Sequence, residues 1–521
     1  MNNIVIIGGG HNGLVAAFYL ARAGLKPLVL ERRDTVGGGA ITTEIAPGFR
    51  VPTLTHSTGL LWQDIAAEME LARRGVEFLR SEAQVFAPGT DGRALILYND
   101  VRRTADSIRP WSAKDADAYP AYRASMTRIS SVVASVFAST PPSIDKPTMS
   151  ELWTLLGTGR QFRALGKKDG YRLLRWGPMP VADLMHEWFE TELLAAALAG
   201  AGVSGTMLGP WSAGSALVLL LREAHRRVAV GAQVKGGPGA LTQAMAAAAQ
   251  AAGAEIRTGA TVARIVVTGD RVMGVALSTG EEIPARAVIS AADPKTTLLH
   301  LVDPVDLAPD VLTKIRNYRS HGTLAKMNFA LSGLPAFAGS PGPEALSGRI
   351  HIGPEIDYLE RAFDHAKYGE FSEEPWLDVS IPSILDAQLA PAGSHVMSVY
   401  VHVAPHTLRS GTWDGAQDRL RQAVVRTLDR FAPGVERLIV AEQLITPDTL
   451  EREYGFFGGH IFHGELSLDQ LFTMRPVLGQ AQYRTAVNGL YLCGGGTHPG
   501  GFLSGGSGRN AAREVAKDLK S

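Results

Sequence analysis

The chain holds one cysteine, Cys493, in 521 residues. That count alone excludes an intramolecular disulfide, a CxxC redox pair and a cysteine-rich zinc centre. Charge of one sign is also missing: 51 lysines and arginines balance 51 aspartates and glutamates, and charged residues make up 20% against a usual ~25%. With no basic surplus to neutralise a phosphate backbone, nucleic acid is not expected as a partner. Long apolar runs are absent too. The opening run Ile4-Val5-Ile6-Ile7 follows no basic segment and stops after four residues, so no signal peptide is expected. The longest uncharged stretch, 193–221, is broken by Gly200, Gly202, Gly205, Gly209, Pro210 and Gly214. It is expected to form two buried helices joined by a turn rather than a membrane span. A cytoplasmic location is expected. A lipid-facing role for that stretch, a peripheral membrane contact and a homo-oligomer are left open.

Glycine is abundant, 57 of 521 or about 11%, against a usual ~7%. With 45% apolar residues the chain is otherwise globular, so the excess calls for a local explanation. Residues 4–7, 8–13, 14–23 and 27–31 read as strand, glycine turn, helix and strand. Within them Gly8-Gly9-Gly10-His11-Asn12-Gly13 satisfies GxGxxG. Gly8 allows the tight turn, Gly10 lets backbone approach a pyrophosphate, and Gly13 lets the helix pack on the strand. The helix start meanwhile offers amide donors. Glu31 follows Gly13 by 31 − 13 = 18 residues, where a carboxylate can accept from an adenosine ribose. Arg32 and Arg33 could instead meet a 2′-phosphate, but Glu31 beside them argues for a free hydroxyl. A further cluster, Gly37-Gly38-Gly39, provides a second place for close backbone approach. No second GxGxxG in strand context occurs, so a separate nicotinamide domain is not expected.

Two more α/β blocks lie far along the chain, at about 236–293 and from Gly489-Leu490-Tyr491-Leu492-Cys493 to the end. The expected fold is α/β, with a Rossmann-like cofactor domain built from 1–95, 226–299 and 476–521. A discontinuous second domain is expected from 96–225 and 300–475, which hold seven of the eight tryptophans.

Read together, Gly8 to Gly13, Glu31-Arg32-Arg33-Asp34 and Val36-Gly37-Gly38 resemble the FAD-dependent amine oxidase and phytoene desaturase superfamily. The run Cys493-Gly494-Gly495-Gly496-Thr497-His498-Pro499-Gly500-Gly501 is similar to the phytoene desaturase branch. The segments 43–49, 180–183 and 459–471 resemble a phytoene dehydrogenase-related subgroup named for a pyridine nucleotide-disulfide oxidoreductase domain. One cysteine cannot make the redox disulfide that label suggests.

The resemblance implies a glutathione reductase-type FAD domain. It places Gly8, Gly10 and Gly13 along the pyrophosphate, Glu31 on the ribose and Arg33 near the adenine side, and counts His11, Asn12 and Arg32 among the cofactor-binding residues. It places Gly38 and Gly39 by the ribityl chain, Val262 against adenine, Gly494 and Gly495 near ribityl and phosphate, and Gly501, Phe502, Leu503 and Ser504 at the isoalloxazine edge. It also implies a hydrophobic small-molecule substrate and oxygen or a quinone as electron acceptor.

Flavin oxidation of a C–H bond needs placement of the hydrogen more than an acid–base triad. Accordingly neither a Gly-x-Ser-x-Gly elbow nor HExxH is present. The resemblance brings His463, His56, Trp211 and His498 near the flavin, with His463 ranked first. Structural hydrogen bonding for the histidines and core packing for Trp211 are the plainer alternatives. His460, His463 and Glu465 sit among glycines without helical register, so no metal site is expected. The expected activity is removal of hydrogen from, or isomerisation of, a hydrophobic molecule. A flavin amine oxidase and a flavoprotein without turnover are the rivals.

Overall fold

The structure is a computed structural model, and residues 4–55 and 59–520 are described. Five short strands form a wholly parallel sheet in the order Leu490–Leu492, Ala287–Ser290, Ile4–Ile7, Pro27–Leu30 and Glu255–Arg257. All but the last are buried along their whole length, as a parallel sheet covered on both faces requires. Alternate side chains divide between the two covers. Ile4, Ile6 and Val29 pack with the helices His11–Arg22, Gly237–Ala251 and Gly506–Lys520. Val5, Ile7, Leu28 and Leu30 pack with a three-stranded antiparallel sheet spanning Val262–Thr268 to Glu282–Pro284. The three chain segments read as α/β blocks therefore build one doubly covered layer.

The second sheet has seven strands in the order Ile439–Ile445, Leu324–Leu331, His395–His402, Trp376–Ser380, Arg349–Ile352, Ala83–Pro88 and Ala94–Tyr98. The last two strands correct the expected boundary at residue 96. Ala83–Pro88 pairs in parallel with Arg349–Ile352, Val85 facing Arg349, and forms a hairpin with Ala94–Tyr98. Their ladder partners lie in this sheet, so the segment 83–98 folds with it.

One face of the sheet is apolar: Met327, Phe329, Leu377, Val379, Val399 and Val401 pack under the helix Trp413–Phe431. The alternate positions are polar and face the other way: Lys326 and Asn328, Asp378 and Ser380, Ser398, Tyr400 and His402, Arg349 and His351.

The 193–221 stretch forms the helices Glu192–Val203 and Ser215–Val228 around a glycine-containing turn, and most of it is buried. Its lipid-facing alternative is therefore set aside. Exposed apolar side chains gather instead on the helix Met149–Ala164, where Met149, Trp153 and Leu156 are 68%, 63% and 55% exposed. No helix among the described residues is long and apolar enough to cross a membrane.

Candidate active site

A cavity of about 1020 Å³ runs from the first sheet to the second, at the top of the ~300–1,000 Å³ range of small-molecule sites. At its first end two glycine segments approach each other. Gly10 pairs with Gly37, Gly37 N–H donates to Gly9 O at 2.9 Å, and a Cβ on Gly38 would lie 3.0 Å from Gly10 Cα. Gly38 also has φ +58°, which favours glycine. Gly8, Gly10, His11, Asn12, Gly38 and Gly39 all line the cavity here. Gly13 does not: a Cβ there would meet Gly8 O at 2.1 Å, so its role is close packing of helix on strand.

Glu31, 5% exposed, lines the same end and is held on both oxygens. Oε2 accepts from Gly9 N–H at 2.8 Å and Oε1 from Arg33 N–H at 3.0 Å. The Arg33 guanidinium reaches back to Gly38 O at 2.6 Å and stands 3.8 Å from Glu31, and burial lowers its pKa. Arg32 donates to Glu453 O at 2.8 Å. Ala260, Thr261 and Val262 complete this end, tied to it by Ala260 N–H donating to Glu31 O at 2.8 Å.

The middle of the cavity is walled by the loop after the last parallel strand. Gly495, Gly501, Phe502 and Leu503 line it. Gly501 is obligatory in place, because a Cβ would fall 2.3 Å from Phe462 Cα. Gly494 and Ser504 stand behind: Gly494 packs on Ala291 O, where a Cβ would come within 2.5 Å, and Ser504 O accepts from Trp62 N–H at 3.2 Å. His463 lines the cavity with φ +56°, its carbonyl held by Tyr318 Oη at 2.9 Å and its ring edge-on to Phe456. Burial lowers the His463 pKa, and burial together with the charge of His463 pushes His11 down to about 4. His463 Nδ1 and His11 Nε2 are buried without hydrogen-bond partners in the protein. Two orphaned imidazole nitrogens, a glycine cradle and a helix start at one wall are the donor set a dinucleotide with a polar ring system would satisfy.

The far end is formed by the polar face of the seven-stranded sheet. Lys326, Tyr400 and Asp378 lie side by side on three adjacent strands, Lys326 opposite Tyr400 and Tyr400 opposite Asp378. Lys326 Nζ donates to Pro52 O at 3.0 Å and Leu54 O at 3.2 Å, and burial lowers its pKa strongly. Opposite stands Arg222, from the helix Ser215–Val228. The resemblance implied a hydrophobic substrate; apolar walls are present, at Leu60, Leu324, Ile461 and Phe462, but this end is charged. The signal was in the sequence as single polar residues at alternate positions of apolar strands, Leu324-Ala325-Lys326-Met327-Asn328 and Trp376-Leu377-Asp378-Val379-Ser380.

The other candidates are placed elsewhere. Trp211 is 42% exposed, donates Nε1–H to Asp357 at 3.0 Å and does not line the cavity, so its reading as a flavin-side residue is corrected. The turn that carries it faces the helix Ile356–Lys367 at the surface. His498 is buried between Phe137 and Phe472, away from the cavity wall. His56 lies outside the described residues. His460 Nδ1 accepts from Phe462 N–H, and Glu465 is engaged by Arg319 and His321. No group of metal-ligating side chains is assembled among the described residues.

Comparison with known proteins agrees with this geometry. The profile of flavin containing amine oxidoreductases matches residues 195–516, and that of the NAD(P)-binding Rossmann-like domain matches residues 6–62. The chain is 37% identical to pyridine nucleotide-disulfide oxidoreductase domain-containing protein 2 of Rattus norvegicus, over 99% of this chain and 93% of that one. It is 25% identical to the lycopene-forming phytoene desaturase of Pantoea ananas over the full length of both. Among solved structures, an oxidoreductase from Methanosarcina mazei shares the fold with a TM-score of 0.63 at 16% identity, covering 99% of this chain and 100% of that one.

Proposed function

This chain belongs to the flavin-containing amine oxidoreductase family and is an FAD-dependent oxidoreductase, and we propose that it removes hydride from a C–H bond of a small molecule with a largely apolar body. The observation that carries this reading is the continuity of one cavity from the glycine cradle to a wall of Ile461, Phe462, Phe502 and Leu324. When bound, FAD supplies the hydride acceptor. The protein's part is placement: Gly10, Gly38 and Glu31 hold the dinucleotide end, while the apolar wall excludes water and fixes the reacting carbon.

His463 is neutral at pH 7, because burial lowers its pKa, and its Nδ1 has no protein partner. It is therefore able to take the proton lost from the neighbouring carbon. Isomerisation would be the same removal followed by return of both a hydride and a proton, at carbons of the same molecule other than those that lost them. Oxygen or a quinone is the proposed acceptor for net oxidation.

Anaerobic mixing of the holoenzyme with apolar alkenes, cyclic ketones and primary amines, followed by flavin bleaching, tests the reading. Bleaching by an alkene or ketone supports it; bleaching by amines alone refutes it in favour of an amine oxidase. Photoreduction followed by air or a soluble quinone identifies the acceptor, and a flavin that neither reagent reoxidises refutes both.

A further inference from the structure

At the substrate end the buried charges do not cancel. Arg349 Nη1 donates to Asp378 Oδ2 at 3.3 Å and its Nη2 to Ala197 O at 2.9 Å, so Arg349 and Asp378 match each other. Among the described residues Arg222 forms no ion pair of its own: the one carboxylate whose charge is felt at its guanidinium, Asp378, is already paired with Arg349. The Nη2 of Arg222 donates to Ser204 O at 2.6 Å, and its Nε is buried without a partner. Counting Arg222 and Arg349 against Asp378 leaves 2 − 1 = 1 positive charge in excess, with Lys326 driven towards its neutral form by burial. Burial brings the Arg222 pKa down to about 10, so the guanidinium stays cationic at neutral pH. A buried cation without a counter-ion is costly unless a ligand supplies one.

The position of Arg222 adds direction. Its guanidinium lies 5.8 Å from the ring centre of Phe462 and 5.4 Å from that of Phe502, two rings 5.2 Å apart in the cavity wall. An aromatic pair of this kind attracts a cation. Here the protein's own cation already occupies it, so a substrate ammonium would meet like charge. An anion would find a planar donor fork with Nε free to complete a two-point contact.

We propose that Arg222 binds an anionic group of the substrate, a carboxylate carried on an otherwise apolar molecule, and that the cavity disfavours cationic amines. This rests on the hydride-transfer reading above for the identity of the bound molecule as substrate. The carboxylate would lie against Arg222 beyond Phe502, with the apolar body along Ile461, Phe462 and Leu324.

Calorimetric titration of the apo and FAD-loaded protein with benzoate, benzamide, benzylamine and hexanoate tests it, alongside the visible spectrum of the flavin. Benzoate or hexanoate is expected to bind at least tenfold tighter than benzamide and benzylamine. Arg222→Met should weaken carboxylate binding about tenfold to a hundredfold, the loss of one charge-assisted contact, and leave FAD affinity unchanged. Arg222→Lys, which keeps the charge, should recover part of it and serves where the methionine variant does not fold.

Tighter binding of benzylamine, no binding of either carboxylate, or carboxylate affinity indifferent to both variants overturns the proposal. A loss of FAD affinity in Arg222→Lys assigns the guanidinium to the cofactor and overturns it too. Failure of the hydride-transfer reading is distinguishable, because it appears as absent flavin bleaching while carboxylate binding to the apo protein still reports on Arg222.

Discussion

Replacement of Glu31 by alanine tests the cofactor end most directly. The carboxylate accepts Gly9 N–H at 2.8 Å and Arg33 N–H at 3.0 Å and stands 3.8 Å from the Arg33 guanidinium. Each oxygen keeps a second lone pair for a ribose hydroxyl. Alanine strands two backbone donors in a buried turn, at about 1–3 kcal/mol each where water cannot replace the acceptor. It also removes the counter-charge of Arg33 and the acceptors for the ribose. Allowing for partial rehydration, the loss falling on the bound state is about 2–4 kcal/mol, or ~30- to 1,000-fold in FAD affinity.

The assay is titration of apoprotein with FAD by flavin fluorescence quenching at fixed ionic strength, with thermal unfolding of the apoprotein as a control. Glu31→Gln, which keeps one acceptor oxygen and loses the charge, should fall between the two. FAD affinity within threefold of the parent in Glu31→Ala would refute the reasoning.

Three further outcomes follow from the same geometry. Gly501→Ala places a Cβ 2.3 Å from Phe462 Cα, which backbone cannot relieve cheaply; flavin content should fall severalfold, and a fully loaded variant would contradict the wall's packing. His463→Asn, chosen because asparagine tolerates the φ of +56°, should slow flavin reduction at least tenfold while holding FAD; unchanged reduction removes His463 from the chemistry.

The pH dependence follows from the buried histidines, of which burial lowers His11 to about 4 and His225, His351, His460 and His498 to about 3. Unfolded histidines protonate near 6.5 and these native ones do not, so the unfolded state binds more protons between those values and stability falls as pH drops below about 6.5. Each contributes up to ~1.4 kcal/mol per pH unit there. Urea midpoints that stay level from pH 7 to 5 would refute this sign.

What was legible in the sequence and what was not divide along a physical line. The cradle was legible because its requirements are local: Gly8, Gly10 and Gly13 lie in one turn, and Glu31 ends the next strand. Each answers to a steric or hydrogen-bonding need within 31 residues of the chain start. Trp211, brought near the flavin by the resemblance alone, misled because likeness along the chain carries no information about which side of the protein this turn faces. The expected boundary at residue 96 cuts the hairpin 83–98 for a related reason, since alternation within a hairpin does not say which sheet edge it joins.

The sequence by itself therefore determined the glycine cradle and the carboxylate beside it, because absent side chains and short spacings encode them directly. Only the tertiary structure decided the other end of the cavity. Lys326, Asp378 and Tyr400 come from three strands, paired over gaps of 400 − 378 = 22 and 400 − 326 = 74 residues, and Arg222 comes from a helix more than 100 residues before them. Polar residues at alternate strand positions are ambiguous until packing settles which face is inside. Here it buries the polar face against a cavity and leaves one guanidinium without an ion pair of its own.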